Sequence, residues 1–349
     1  MTTKPDDTTF KIAARSAAIV WKAASTTLPD AARQLGAYRQ YQALPLCLPK
    51  EFSEYNLLPT ARENALSRFA AARIPWHDGV GSGPSNHLLS SQVQCANTLA
   101  PFVGGPDSIA ALFRGSLPID RVLPFGASGG AGSLSPFDTT DHVVFEWQGL
   151  ANHLNEWSGT PTRGSQATSA DAAIRYTASD GATELALIEW KYTESYPSGR
   201  LSPSTTSNAT RHARYDPLLQ AADGPLDLSS MGLDDLLVEP VYQLMRLVLL
   251  ADCIERAHEQ GVDRVRVLYV SPSANTALRA SPCSAGYRAG VGSGSYHDTW
   301  PSLLRQSDRM VFMDSRALLG PGLPLDGEYR ARYSALGGAT AEYQDSRSS

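Results

Sequence analysis

Residues 185–196 read LALIEWKYTESY, and inside this apolar run Glu189 and Lys191 stand two positions apart. Side chains alternate across a β-strand, so the carboxylate and the ammonium share one face. The neighbours Leu185, Leu187, Ile188, Trp190 and Tyr192 are apolar on both faces, the pattern of a covered central strand. Charges buried in such a strand need partners. The plain alternative is a solvated ion pair on an edge strand, which contributes little and needs no function.

Upstream, ADAAIRYTASDG (170–181) reads as a strand that reaches a turn at Ser179 to Gly181, so the two strands form a hairpin. A hairpin returns the far end of its second strand to the start of its first. Asp171 therefore approaches Glu189, although seventeen residues lie between them. Asp171 could instead simply start a strand or cap a turn. Two carboxylates meeting at one point favour a hard divalent cation, Mg2+ or Mn2+, with Asp171 and Glu189 as ligands. Lys191 beside them adds positive charge that orients water and stabilises charge on a phosphate.

The surrounding segments supply a helix-strand-strand-strand-helix-strand order. HLLSSQVQCANTLAPF (87–102) is a helix carrying Gln92, with Ser85 or Asn86 as its cap. HVVFEW (142–147) is a strand carrying Glu146, a residue open to a metal-site or a structural role. A buried helix near 238–259 carries Gln243, and DRVRVLYVSP (263–272) is a further strand. An amide on an apolar helix must find partners, either a site carboxylate or backbone groups. The polar stretch 195–216 reads as a loop carrying Arg200, Arg211 and Arg214, side chains suited to the phosphates of DNA. Residues 1–84 read as an N-terminal helical extension and linker, 85–320 as the α/β core, and 321–349 as a C-terminal tail.

Asp171, the Glu189-Trp190-Lys191 triplet and this element order resemble the PD-(D/E)xK nuclease superfamily over roughly residues 85–272. More closely, TSADAAIRY, LIEWKYTES and EPVYQLMRLVLLAD look like a bacterial group of restriction endonucleases within it. The resemblance implies a restriction-endonuclease-like core and metal-dependent hydrolysis of DNA, in restriction or phage defence. It implies Asp171 and Glu189 as metal ligands and Lys191 as the residue assisting the attacking water. Ala170 stands where the superfamily pattern has proline.

The bulk composition is compatible with this reading. The 349 residues are 42% hydrophobic, enough for a sizeable core, and a formal charge of −5 means that an anionic partner is met by a local patch or a metal. Four cysteines without a CxxC pair suggest buried thiols. Neither a signal peptide nor a membrane span is visible, which places the expected protein in the cytoplasm. Cutting both strands of a duplex favours a homodimer. Two rival classes are a glycoside hydrolase using Glu146 and Glu189, in which Lys191 has no task, and an inactive DNA-binding module on a nuclease-like fold.

Overall fold

The computed structural model describes residues 9–126, 140–157, 167–196, 205–281 and 283–337. Six strands form one mixed sheet: β1 (Ile119–Leu123), β2 (Val144–Trp147), β3 (Ala170–Ala178), β4 (Thr183–Trp190), β5 (Arg264–Ser271) and β6 (Met310–Asp314). Their order is β1-β3-β4-β5-β6, with β2 also paired to β3 beyond the end of β1. β3 and β4 are the expected antiparallel hairpin, paired from Thr177↔Thr183 to Ala172↔Ile188. Gly181 closes its turn at φ +89°, a conformation glycine adopts without a Cβ penalty. β4, β5 and β6 run parallel. The edge strands β1 and β6 add to the expected order.

Both faces of the sheet are covered, which explains the apolar run around Glu189. Ala186, Ile188 and Trp190 join a cluster with Ala172, Leu268 and Val270, while Leu185 and Leu187 join Ala173, Val265 and Val267 on the other face. The first cluster packs against α1 (Thr9–Ala24), α2 (Pro59–Ala71), α3 (Ser91–Leu99) and α4 (Pro106–Phe113). The second packs against α5 (Thr205–Leu219) and α6 (Val241–Arg256), the latter being the buried helix expected near 238–259. This is a mixed α/β, restriction-endonuclease-like fold.

Three local readings differ from expectation. Ser90 caps α3, accepting a hydrogen bond from the Val93 N–H at 3.3 Å. Asn86 is used elsewhere, donating to the carbonyls of Ala37 and Leu48. The expected loop 195–216 contains α5, whose polar composition and Pro217 conceal a helix. Residues 321–337, expected within a tail, fold back through α7 (Gly327–Arg332) onto α1. There Glu328 accepts from the Trp21 indole N–H at 2.9 Å, and the Arg332 guanidinium lies 4.6 Å from the Trp21 ring centroid. Residues of 9–84 and of 325–336 thus share one hydrophobic cluster with the sheet.

Arg332 is 1% exposed and donates to both the carbonyl and the side-chain oxygen of Asn56. Replacing it with alanine leaves Asn56 Oδ1 unsatisfied, leaves the Asn56 carbonyl with Asn97 alone, and opens a cavity beside Trp21. Arg332→Ala is expected to lower stability by about 2–4 kcal/mol, read from urea denaturation midpoints at unchanged m-value.

Candidate active site

Three carboxylates lie in one row across three adjacent strands. The register Ala172↔Ile188, continued by one residue, sets Asp171 across from Glu189. The pairs Phe145↔Ala172 and Trp147↔Ala170 place Glu146 across from Asp171 on its other side. Directly opposed side chains sit about 5 Å apart at Cβ. The row lies towards the carboxyl end of β4, on the floor of a cleft of about 850 Å3. Gln92, Glu146, Asp171, Glu189, Lys191 and Gln243 all line it.

Glu146 departs from regular strand geometry. Its φ is +50°, and the alternation slips at that residue: Phe145 joins the core under α3, whereas Trp147 joins the core under α6. Positive φ is costly for glutamate and persists only where surroundings hold it. Here Gln92 donates to one carboxylate oxygen at 3.0 Å and the Ser169 hydroxyl donates to the other at 2.7 Å. Gln92 is itself fixed, accepting from the His77 N–H at 2.8 Å.

Glu189 is 2% exposed, and its Oε1 accepts from both Lys191 Nζ and Gln243 Nε2 at 2.7 Å. Asp171 accepts from the Trp190 backbone N–H at 2.6 Å through Oδ2. Glu189 Oε2 and Asp171 Oδ1 have no hydrogen-bond partner among the described residues, and neither is a sealed, unsatisfied atom. Each carboxylate therefore keeps one oxygen for the cleft.

The electrostatics of the row are unbalanced. Like charges on neighbouring strands repel, and the more strongly the less water lies between them. Asp171 has such a neighbour on each side, while the one ammonium bonds to Glu189. Although one oxygen reaches the cleft, protein walls the Asp171 carboxyl elsewhere. Burial, then Glu189 and Glu146, push its pKa well above the carboxylate range; Lys191 and the Trp190 N–H oppose this. For Lys191, burial alone would lower the pKa. The Glu189, Tyr196, Glu194 and Asp171 side chains outweigh it and hold the ammonium protonated.

Arg211 and Arg214 stand on α5 and line an adjoining cavity of about 380 Å3, not the carboxylate cleft itself. Arg200 lies outside the described residues. Sequence reasoning missed Arg246, which lines both spaces and donates to Thr168 Oγ1 at 3.2 Å. Its signal was present: Gln243 and Arg246 are three apart on α6 and therefore share a face.

The chain belongs to the family described as Restriction Endonuclease associating with ARP. That family's model matches residues 15–333, so it takes in the extension, the sheet and α7 together. No curated protein and no solved structure matches the chain. As a member of a restriction endonuclease family, the protein falls among nucleases, with DNA as the implied substrate.

The donor set fits a hard cation of modest protein coordination. Among the described residues, no group of three or more His, Cys, Asp or Glu side chains is gathered to hold a metal ion, and Glu146 is committed to Gln92 and Ser169. Asp171 and Glu189 each offer one carboxylate oxygen to the cleft. Such a pair suits Mg2+ or Mn2+, which retain several waters, better than Zn2+, which seeks nitrogen and sulfur.

The raised pKa of Asp171 has a definite sign for stability. Its protonated form favours the fold, so this contribution is complete below the unfolded value near 3.8 and is lost as pH rises through the folded value. At neutral pH and above, in chelator, Asp171→Asn is expected to melt at higher temperature than the parent. The amide oxygen keeps the Trp190 bond without the charge. The advantage should shrink towards pH 4 and on adding Mg2+ to the parent, as followed by thermal denaturation across pH.

Proposed function

We propose that the protein is a metal-dependent endonuclease hydrolysing phosphodiester bonds of DNA. Asp171 and Glu189 hold the metal, and Lys191 orients the attacking water. The observation that carries this reading is the Asp171–Glu189 pair, each with one oxygen open to the cleft, beside a Lys191 ammonium 2.7 Å from Glu189. Mg2+ or Mn2+ held there supplies charge against the developing phosphate charge and lowers the pKa of bound water.

The remaining work falls to side chains. Lys191 spends one of three N–H donors on Glu189, leaving others for a water or a non-bridging oxygen. Gln243 is a positioning residue: its second hydrogen bond on Oε1 fixes the Glu189 rotamer so that Oε2 meets the cleft. Gln92 positions Glu146, whose charge adds to the demand for a cation. Arg211 and Arg214 serve as contacts to the DNA backbone, and a homodimer presents one cleft to each strand. The glycoside hydrolase reading is weaker, because both Glu146 oxygens are hydrogen-bonded and Lys191 would lack a task. An inactive DNA-binding module would show affinity without turnover.

Incubating DNA with and without Mg2+ or Mn2+ separates these readings. Cleavage is expected only with metal, and Asp171→Asn and Glu189→Gln are each expected to abolish it with the fold intact. Lys191→Arg retains charge but presents a bulkier, planar group that does not deprotonate. It is expected to keep metal and DNA binding while losing at least about a hundredfold in turnover, since a misplacement of about an ångström costs that much. Undiminished cleavage by either carboxylate variant would reject the site. Near-parental turnover by Lys191→Arg would reduce Lys191 to a counter-charge.

A further inference from the structure

Beside the carboxylate cleft, α5 and α6 enclose the second cavity, and the two spaces share Ala167 and Arg246 as a common wall. Three guanidiniums, those of Arg211, Arg214 and Arg246, line this cavity against one carboxylate, Glu156. Glu156 is already engaged. It accepts from Tyr215 Oη at 2.6 Å, from Thr168 Oγ1 at 2.8 Å and from the Thr168 N–H. Its nearest approach to Arg246 is a loose 4.0 Å. Among the described lining residues three guanidiniums face one engaged carboxylate, so the cavity is electropositive.

The arginines are held but not exhausted. Arg211 donates one hydrogen bond to Asn208 at 2.8 Å, Arg214 one to the Glu156 carbonyl at 3.1 Å, and Arg246 one to Thr168. Each guanidinium carries five N–H donors, and Arg246 Nε is buried with no partner in the structure. Arg246 and Arg211 lie over the Tyr242 ring, at 4.6 Å and 5.7 Å from its centroid, which fixes their planes and occupies the ring. Tyr215 and Tyr242 are both buried, so a nucleobase finds no stacking platform there. Guanidinium edges converging on a small space match phosphate geometry.

We infer that this cavity is a subsite for a non-scissile phosphate of the substrate strand, adjoining the phosphate under attack, with Arg246 as the residue joining the two positions. The subsite rests on the nuclease reading and deepens it. A polyanionic strand crossing the carboxylate row is repelled there until metal is present, and the neighbouring arginines hold it in register. Across the carboxylate cleft, Asp78 is tied to Arg39, and burial, with Lys11 and Arg15, pushes the His87 pKa down to about 4, leaving it neutral.

The test uses a DNA duplex that the protein cleaves with Mg2+, carrying one neutral methylphosphonate at each position flanking the cut in turn. One flanking position is expected to lower cleavage at subsaturating substrate by roughly tenfold or more, the scale of a charge-assisted contact. Arg246→Gln and Arg211→Gln should each show a comparable loss on unmodified duplex and little further loss at that same position. Fully additive losses, or no sensitive flanking position, would overturn the subsite. Arg246→Gln also loses the Thr168 bond, whereas Arg211 hydrogen-bonds to Asn208 on its own helix and lies over Tyr242, so thermal denaturation of both variants at an unchanged midpoint separates the subsite from folding. If no DNA is cleaved, the nuclease reading fails. The subsite is then decided by duplex binding in EDTA, where each variant should reduce the slope of log affinity against log salt by about one contact. An unchanged slope would overturn it.

Discussion

Mutual repulsion within a row of three carboxylates is the constraint to which the site answers. Glu146, Asp171 and Glu189 face one another across β2, β3 and β4, partly out of water, with the Lys191 ammonium bonded to Glu189. Sheet pairing enforces that arrangement, because no rotamer can separate three directly opposed residues by far. Packing on both faces of the sheet then prevents the strands from sliding to relieve it. A one-residue slip would turn Ile188 and Leu187 to the wrong cores. The apolar framework thereby keeps the charges together.

Neighbouring elements compensate in different ways at each position. Gln92 from α3 and Ser169 absorb Glu146, and Lys191 and Gln243 absorb one oxygen of Glu189. Asp171 receives only a backbone N–H from Trp190. It is the least compensated of the three, which agrees with its strongly raised pKa. A cation placed between Asp171 and Glu189 relieves what the side chains leave uncompensated. The N-terminal extension contributes Tyr38, His77 and Asp78 to the wall of the cleft. Helices α1 to α4 and α7 share one hydrophobic cluster on one face of the sheet, and α5 and α6 cover the other.

Legibility in the sequence followed sequence distance. Asp171 and Glu189 share one hairpin with a short turn, so their meeting could be read from alternation and chain length. Gln243 was visible as a lone amide on an apolar helix. Glu146 could be named but not placed, because its position opposite Asp171 depends on a strand pairing across a long connection, and its positive φ leaves no mark on composition. Helix α5 was hidden by polar residues and Pro217, and with it the setting of Arg211 and Arg214. The edge strand β1 (IDRVL) is short and of mixed polarity, and β6 (MVFMD) carries an apolar run only four residues long, too short to mark a strand by itself. Arg246, on the same apolar helix as Gln243, stands at the junction of two cavities.

The central claim is that Asp171 and Glu189 together hold a divalent cation. Uptake of Mn2+ by the folded protein, followed by loss of the electron paramagnetic resonance signal of the free ion, tests it without reference to any substrate. The account predicts saturable binding by the parent, competition by Mg2+, and severe weakening in Glu189→Gln, whose amide keeps the shape of the carboxylate without its charge. Mn2+ uptake by Glu189→Gln equal to that of the parent would contradict it.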